Sequence, residues 1–279
     1  MRVGVLHPGA MGASVAASLL AGGHDVGWCS AGRSDDSRSR AAELHEFPQL
    51  DDLVVWAEAL ISVCPPASAL QQAHAVRACA FDGLYVDANA IAPATATAIA
   101  RLMGAAYVDG GIIGPPAWQS GTTRMYLSGE HAATVAAWFE GAVLEVIAIP
   151  QEQGDEVAAS ALKMAYAAYS KGDAALLLAA NALAHSSGVL DVLRSEWALS
   201  LPDMSRRSEL TAQAISPKAW RFSGEMEQIS AAFTDAGLSG EFHNGAADLY
   251  ARLSKFKDQP PASLDSLLDV LVQSEKTRH

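Results

Sequence analysis

Positive charge is scarce in this chain. Nineteen lysines and arginines stand against 31 aspartates and glutamates, a formal net charge of −12 over 279 residues. A nucleic-acid or anionic-membrane surface demands a basic footprint, so neither is expected as the main partner. A local basic pocket for one phosphate stays compatible with that balance. Cysteine is scarce too. Cys29, Cys64 and Cys79 are scattered without a C-x-x-C spacing, which argues against a disulfide framework and suits a reducing cytoplasm. The eight histidines are equally dispersed, and no metal site is readable. The apolar stretches are Ala-rich and interrupted, with none forming a clean span of ~20 residues, so no membrane segment is expected. The first residues, "MRVGVLHPGAMG", run straight into a strand and lack the order of a secretion signal.

What the chain does have is apolar material, 50% of its residues, enough for one large core or two ordinary ones. Strand-like and helix-like segments alternate through the first half: "RVGVL", "MGASVAASLLAGG", "HDVGWCS", "ALISVCPP", "GLYVDAN", "PATATAIARLMG", "AAYVDGGII", "TRMYLSG" and "VLEVIAIP". Such alternation predicts a parallel α/β sheet. The texture changes near Gly154. From there a run of about thirty Ala- and Leu-rich residues predicts one long helix, with Gly172 as its interior weak point. Five further helical stretches follow: "LDVLRSEWAL", "MSRRSELTAQAI", "PKAWRFSGEMEQISAAFTDAG", "FHNGAADLYARLSKF" and "ASLDSLLDVLVQSEKT". The expected boundary lies at about 150–154, dividing an α/β domain, 1–152, from an all-helical one, 153–279, with the long helix as a stiff connection.

The turn between the first strand and first helix reads "LHPGAMG". In a dinucleotide-binding turn one glycine permits the bend, one lets backbone N–H groups approach the pyrophosphate, and one lets helix pack on strand. Gly9 and Gly12 fill the second and third tasks, with Ala10 and Met11 between them. His7 stands where the first is expected and reads as a turn residue. The second strand ends "WCSAGRSDD". An NAD site usually places an acidic residue there. Here Ser30, Arg33 and Ser34 offer charge and hydrogen bonds to a 2′-phosphate, which favours NADP over NAD. The alternative is a solvated Arg33 with Asp35 or Asp36 facing the ribose.

Taken together, "LHPGAMG", "SVCPP", "VDANAIAP", "YVDGGIIGPP" and "GDEVAASALKMAYAAYSKG" resemble, in that order, the β-hydroxyacid dehydrogenase superfamily of 6-phosphogluconate and 3-hydroxyisobutyrate dehydrogenases. "KAWRFSGEMEQI" and "GEFHNGAADLY" are similar to a branch of no settled function with a phosphogluconate-dehydrogenase-like C-terminal domain. The resemblance implies a Rossmann-type doubly wound sheet, a helical substrate and dimerisation domain, and an NAD(P)-dependent dehydrogenase or reductase. It implies that Gly9 to Gly12 meet the pyrophosphate. It places Cys64, Pro65 and Pro66 along the cofactor, and Asn89 near the nicotinamide ribose. Lys163, nine residues after Gly154, matches the catalytic lysine. Its mostly small, apolar surroundings are those that tune a lysine for proton transfer; the alternative is a lysine snorkelling to solvent. The resemblance also implies a homodimer through the helical half, and the Ala- and Leu-rich helices fit one.

The sequence departs from the family pattern in the substrate loop, "DGGIIGPP", to which Gly114 belongs. Ile113 stands where the family carries a carboxylate-binding serine. Ala167 stands where it carries an asparagine. Ser170, two turns after Lys163, can substitute in part, and Tyr166 can donate to a carbonyl oxygen. Arg124 is the best carboxylate clamp in its region, though a surface position suits it as well. Tyr169, on the same helix as Tyr166, can donate in the same way, and Trp197, Trp220 and His243 are candidates for an aromatic wall; the alternative for each is core or dimer interface. Three readings stay open: a carbonyl/hydroxy oxidoreductase using Lys163, an imine reductase on the same scaffold, and a non-catalytic NADP-binding sensor.

Overall fold

The structure is a computed structural model that describes residues 1–257, 259–261 and 263–272. The chain divides into two compact units, Met1–Met164 and the remainder from Ala165. The first unit runs β1 (Arg2–Val5), α1 (Ala10–Ala21), β2 (Asp25–Cys29), α2 (Asp35–Arg40), β3 (His45–Phe47), α3 (Leu50–Trp56) and β4 (Ala59–Ser62). It continues with α4 (Ala69–Ala78), β5 (Leu84–Asp87), α5 (Pro93–Met103), β6 (Tyr107–Ile113), β7 (Arg124–Ser128), α6 (Ala132–Ala137) and β8 (Glu145–Ala148). The division falls inside α7 (Ala158–Ser186). After it come α8 (Leu190–Ser200), α9 (Met204–Ile215), α10 (Ala219–Asp235), α11 (Glu241–Arg252) and α12 (Leu264–Val272).

The eight strands form one sheet in the order β3-β2-β1-β4-β5-β6-β7-β8. Pairing is parallel throughout, except that β6 and β7 are antiparallel. The order reverses direction between β1 and β4, the switch point at which open α/β sheets bind ligands beyond the carboxyl ends of their strands. The strands are short and buried on both faces. In β4, Ala59 and Ile61 enter one core with Val15 and Leu19 of α1, while Leu60 enters the other with residues of α3, α4 and α5. Each such valine, leucine or isoleucine contributes about 1.5–3 kcal/mol by leaving water. Continuous apolar runs, rather than alternation, are what a parallel sheet covered on both faces produces.

β3, α2 and α3 were not legible as elements. The first is only three residues long, and α2, "DDSRSR", has no buried residue. Beyond Ala148 no strand occurs among the described residues, as the change of texture predicts.

α7 passes through Gly172 unbroken. A Cβ there would stand 2.9 Å from the Phe242 ring of α11, so the missing side chain is a packing requirement. The second unit is held by α10 against α11. Phe222 and Tyr250 pack edge-on at 5.6 Å, and the Tyr250 hydroxyl donates to the Lys171 carbonyl at 2.7 Å. The final predicted helix is present as α12; its continuation over 273–277 lies outside the described residues. Among the described residues no helix is long and apolar enough to cross a membrane, and no group of three or more His, Cys, Asp or Glu is placed to hold a metal ion.

Candidate functional site

Residues 6–9 carry the chain from β1 into α1. Gly9 is the N-cap, extended at φ −68 and ψ −170; no side chain caps the helix and no acidic residue lies in its first turn. First-turn N–H groups lack intrahelical acceptors and carry partial positive charge. An uncapped start of this kind suits an external anion. A Cβ on Gly9 would meet nothing within 4 Å, whereas one on Gly12 would lie 2.0 Å from the His7 carbonyl oxygen. Gly9 therefore leaves room, and Gly12 permits close packing. The His7 carbonyl accepts the Gly9 N–H at 2.8 Å. Burial, aided by the Arg33 charge, pushes the His7 imidazole down to about 4, so it is neutral at pH 7. Its Nδ1 is buried without a protein partner.

At the end of β2, Ser30 is buried. Its carbonyl accepts the Arg33 N–H at 3.2 Å and the Arg38 guanidinium at 3.1 Å. Arg38 also pairs with Glu46 of β3 at 2.7 Å. Arg38 escaped the sequence reading because its segment reads as a polar loop. Ser34 caps α2, its Oγ accepting the Ser37 N–H at 3.3 Å. Arg33 is half-buried, and its Nε is buried without a protein partner. Its charge acts on both His7 and Cys64. The loops after β1, β2 and β4 thus converge on one guanidinium, a group with the charge and geometry for a phosphate.

Asn89 follows β5 and is 2% exposed. Its Oδ1 accepts the Cys64 N–H at 2.5 Å and its Nδ2 donates to Ser62 Oγ at 3.1 Å. Both ends of the amide lock the loop after β4 to the loop after β5. Burial pushes the Cys64 thiol up to about 11, so it is a neutral packing group beside exposed Pro65.

Lys163 lies in the second turn of α7. It is half-buried, and its Nζ donates to the Ile112 carbonyl of β6 at 2.7 Å. Two features bring helix and strand this close. Gly111 has no side chain; a Cβ there would lie 2.6 Å from the Ala159 carbonyl oxygen and 3.0 Å from the Lys163 Cβ. Asp109, fully buried, grips the helix start. Its Oδ2 accepts the Ser160 N–H at 2.7 Å and its Oδ1 accepts the Ser160 hydroxyl at 2.6 Å. Asp87 lies beside it, paired in register across β5 and β6. Burial is the main cause that raises both carboxyls, Asp87 to about 7 and Asp109 to about 6. Neither aspartate was singled out from the sequence. The available signal was an aspartate ending an apolar strand in both "YVDAN" and "YVDGG".

Gly114 turns the chain after β6 at φ +125. The loop it begins is tied to α1, because the Ala117 N–H donates to buried Ser14 Oγ at 2.9 Å. The loop after β6 and the start of α1 are thereby neighbours. Ile113 is paired with Arg124 across the antiparallel strands, and Arg124 is engaged at 3.1 Å by Glu145 of β8.

The remaining candidates lie in the second unit. Tyr166 is 53% exposed and Trp220 46%, the latter with the Lys257 ammonium 4.4 Å from its ring. Trp197 is half-buried. His243 is buried between the rings of Phe233 and Phe242, an interior residue. Exposed Ser170 lines an open cavity with Asp173, Arg206 and Arg207, where Arg207 pairs with Asp173.

Comparison with known proteins follows this geometry. The model of a domain of unknown function, DUF1932, matches residues 184–253. An uncharacterized 28.5 kDa protein in the 7S RNA 5′ region of Methanothermus fervidus is 32% identical over 174 residues, covering 61% of this chain and 65% of that protein. The match thus spans just under two thirds of that relative's length. A conserved protein of unknown function, whose structure revealed similarity with 3-hydroxyacid dehydrogenases, is 25% identical, with a TM-score of 0.66 over 91% of this chain and 98% of its own. The fold is thus similar to that of the 3-hydroxyacid dehydrogenases. A 3-hydroxyisobutyrate dehydrogenase of Mycobacterium tuberculosis shares the fold at 18% identity, with a TM-score of 0.65 over 97% of this chain and 98% of its own. So does a reductive aminase of Aspergillus terreus, solved with NADPH and ethyl levulinate, at 21% identity and a TM-score of 0.55 over 96% and 98%.

Proposed function

We propose that this chain is an NADP-dependent oxidoreductase that moves a hydride between the nicotinamide and a small carbonyl or hydroxy compound. The observation that carries the reading is the Lys163 ammonium, held at 2.7 Å on the Ile112 carbonyl at the sheet edge where the phosphate turn also opens. The structure contains the groups the coenzyme requires: an uncapped α1, open space over Gly9, and an Arg33 Nε without a protein partner. Bound NADPH supplies the hydride. Lys163 supplies a proton to the carbonyl oxygen as charge develops there, and in the reverse direction its neutral amine takes the hydroxyl proton. Arg33, with Ser30 and Ser34 near it, holds the 2′-phosphate.

The test is NADPH oxidation with a panel of keto acids, aldehydes, ketones and cyclic imines. Turnover on a carbonyl class supports the reading. Turnover on imines alone favours the second reading, imine reduction, for which apolar Ile113 and Ala167 argue. NADPH binding without turnover on any class leaves the sensor. Arg33→Ala is expected to weaken NADPH by about 10–100-fold, the equivalent of roughly 1.5–3 kcal/mol for a hydrogen bond to a charged group. NADH affinity should barely move. Fluorescence titration with both coenzymes checks this, and an equal loss for both would place Arg33 away from the 2′ position.

The helical half is proposed to form a homodimer. Along α7, Leu162, Tyr166, Tyr169, Leu176 and Leu183 recur at steps of three, four or seven and are all exposed, from 37% to 75%. An apolar stripe of that kind needs a cover. Light scattering should give twice the 29.1 kDa chain mass, and Leu176→Glu with Leu183→Glu should halve it. Scattered cysteines favour a reducing compartment, the cytoplasm.

A further inference from the structure

Asp109 is a buried carboxylate that hydride transfer itself does not require. It ends no ion pair and points away from solvent, yet it collects donors from three elements. The Ser160 N–H and hydroxyl reach it from α7, the Ser128 hydroxyl from β7 at 3.2 Å, and the Tyr107 hydroxyl from β6 at 3.3 Å. Ser128 Oγ in turn accepts the Ala159 N–H at 2.9 Å. Two first-turn N–H groups of α7 therefore end on side chains of the sheet. Asp155 Oδ1 accepts the Val157 N–H at 3.0 Å just before the helix, and the sheet takes the two N–H groups of Ala159 and Ser160.

The consequence concerns Lys163. Asp109, Gly111 and Ile113 alternate along β6, so the first two face α7 from one side of the strand. Asp109 fixes the helix start, Gly111 admits it, and the Ile112 carbonyl between Gly111 and Ile113 receives the Lys163 ammonium. A carboxylate at a helix N-terminus also complements the helix dipole. Removing the anchor would let an uncapped first turn fray, and the ammonium would leave its carbonyl.

We infer that Asp109, with Ser160 and Ser128, is a positioning clamp that seats Lys163 on the Ile112 carbonyl. The inference rests on the catalytic reading of Lys163 only for its functional consequence; the seating itself is testable without a substrate. The experiment is amine-reactive labelling of the intact protein, read peptide by peptide by mass spectrometry across pH 6–10 in wild type, Asp109→Asn and Ser160→Ala. Asp109→Asn sets an amide N–H₂ against a donor that had a carboxylate oxygen. Ser160→Ala removes one hydroxyl and keeps the backbone bond, so it serves where the first variant folds poorly. Exposed Lys218 is the reference, and Lys171, half-buried in its pair with Glu225 at 2.5 Å, reports general loosening.

Lys163 labelling is expected to rise about threefold or more in Asp109→Asn relative to Lys218, and by less in Ser160→Ala, with Lys171 unchanged. An unchanged Lys163 rate in both variants overturns the clamp. So does a parallel rise at Lys171, which would mean a purely structural role. On any substrate that turns over, both variants should lower kcat and leave the KM for NADPH in place. Turnover insensitive to Lys163 itself would sink the catalytic reading alone and leave the labelling result to stand or fall by itself.

Discussion

Lys163→Met is expected to cut NADPH-dependent turnover by about 10²–10⁴-fold, the range that a positioned general acid contributes. Methionine keeps the unbranched length and the apolar contacts of the lysine stem, and removes only the ammonium. The phosphate turn, Arg33 and the Asn89 lock involve other residues, so NADPH affinity should stay at the wild-type value. The limb of the kcat pH profile that belongs to the lysine should vanish with the side chain. Stopped-flow NADPH oxidation under single-turnover conditions, with coenzyme titration in parallel, makes the measurement. Full activity in the variant on a carbonyl substrate would remove Lys163 from the chemistry. Full activity on an imine alone would move the protein to imine reduction, where the substrate brings its own positive charge.

Asp87→Asn is expected to stabilise the protein at alkaline pH and to flatten its pH dependence. Asp87 is fully buried, one of its oxygens has no partner, and its carboxyl is raised from 3.8 to about 7. The sign follows from proton counting. Between about pH 4 and pH 7 the native state keeps a proton that the unfolded chain has released, so stability falls as pH rises through that window and stays low above it. The full displacement corresponds to roughly 4 kcal/mol. Asparagine keeps the oxygen that accepts the Asn89 N–H at 3.0 Å, but its amide hydrogens inherit the missing partner, which returns about 1–3 kcal/mol. A net gain of about 1–3 kcal/mol is expected at pH 8 and none at pH 4. Urea unfolding at the two pH values decides it. A variant equally stable or weaker at both would show that Asp87 is ionised at low cost.

The pair at Asp87 and Asp109 illustrates a division within one sheet. Asp87 ends β5 and Asp109 lies within β6; both are buried, and they are paired in register. Asp109 has four donors and holds a helix. Asp87 has one donor and one empty oxygen. The two residues lie on consecutive strands and are neighbours in space; burial raises both carboxyls, and hydrogen bonding offsets more of that cost at Asp109 than at Asp87.

Much was legible in the chain before folding was considered. Short continuous apolar runs gave β1, β2 and β4 to β8, since parallel strands are buried on both faces and need no alternation. The glycine spacing in "HPGAMG" identified the turn into α1, where a Cβ on Gly12 would lie 2.0 Å from the His7 carbonyl oxygen. β3 and α2 were lost for the complementary reason: three residues, or six exposed polar ones, carry no periodic signal. Lys163 stood out as a lone base among small residues, and Arg33 as a base where an acid is usual.

Sequence by itself placed β1, α1, β2, β4, β5, α5, β6, β7 and β8 in order ahead of a helical second half, together with the glycine turn into α1 and the basic residue after β2, because each is written in residues next to one another. Tertiary structure alone decided where Lys163 stands. Its partner is a carbonyl 51 residues away, the glycine that admits it lies on another element, and the carboxylate that anchors its helix is equally distant in sequence. A hydrogen bond depends on distance in space, and only the packing of α7 on β6 brings those groups within it.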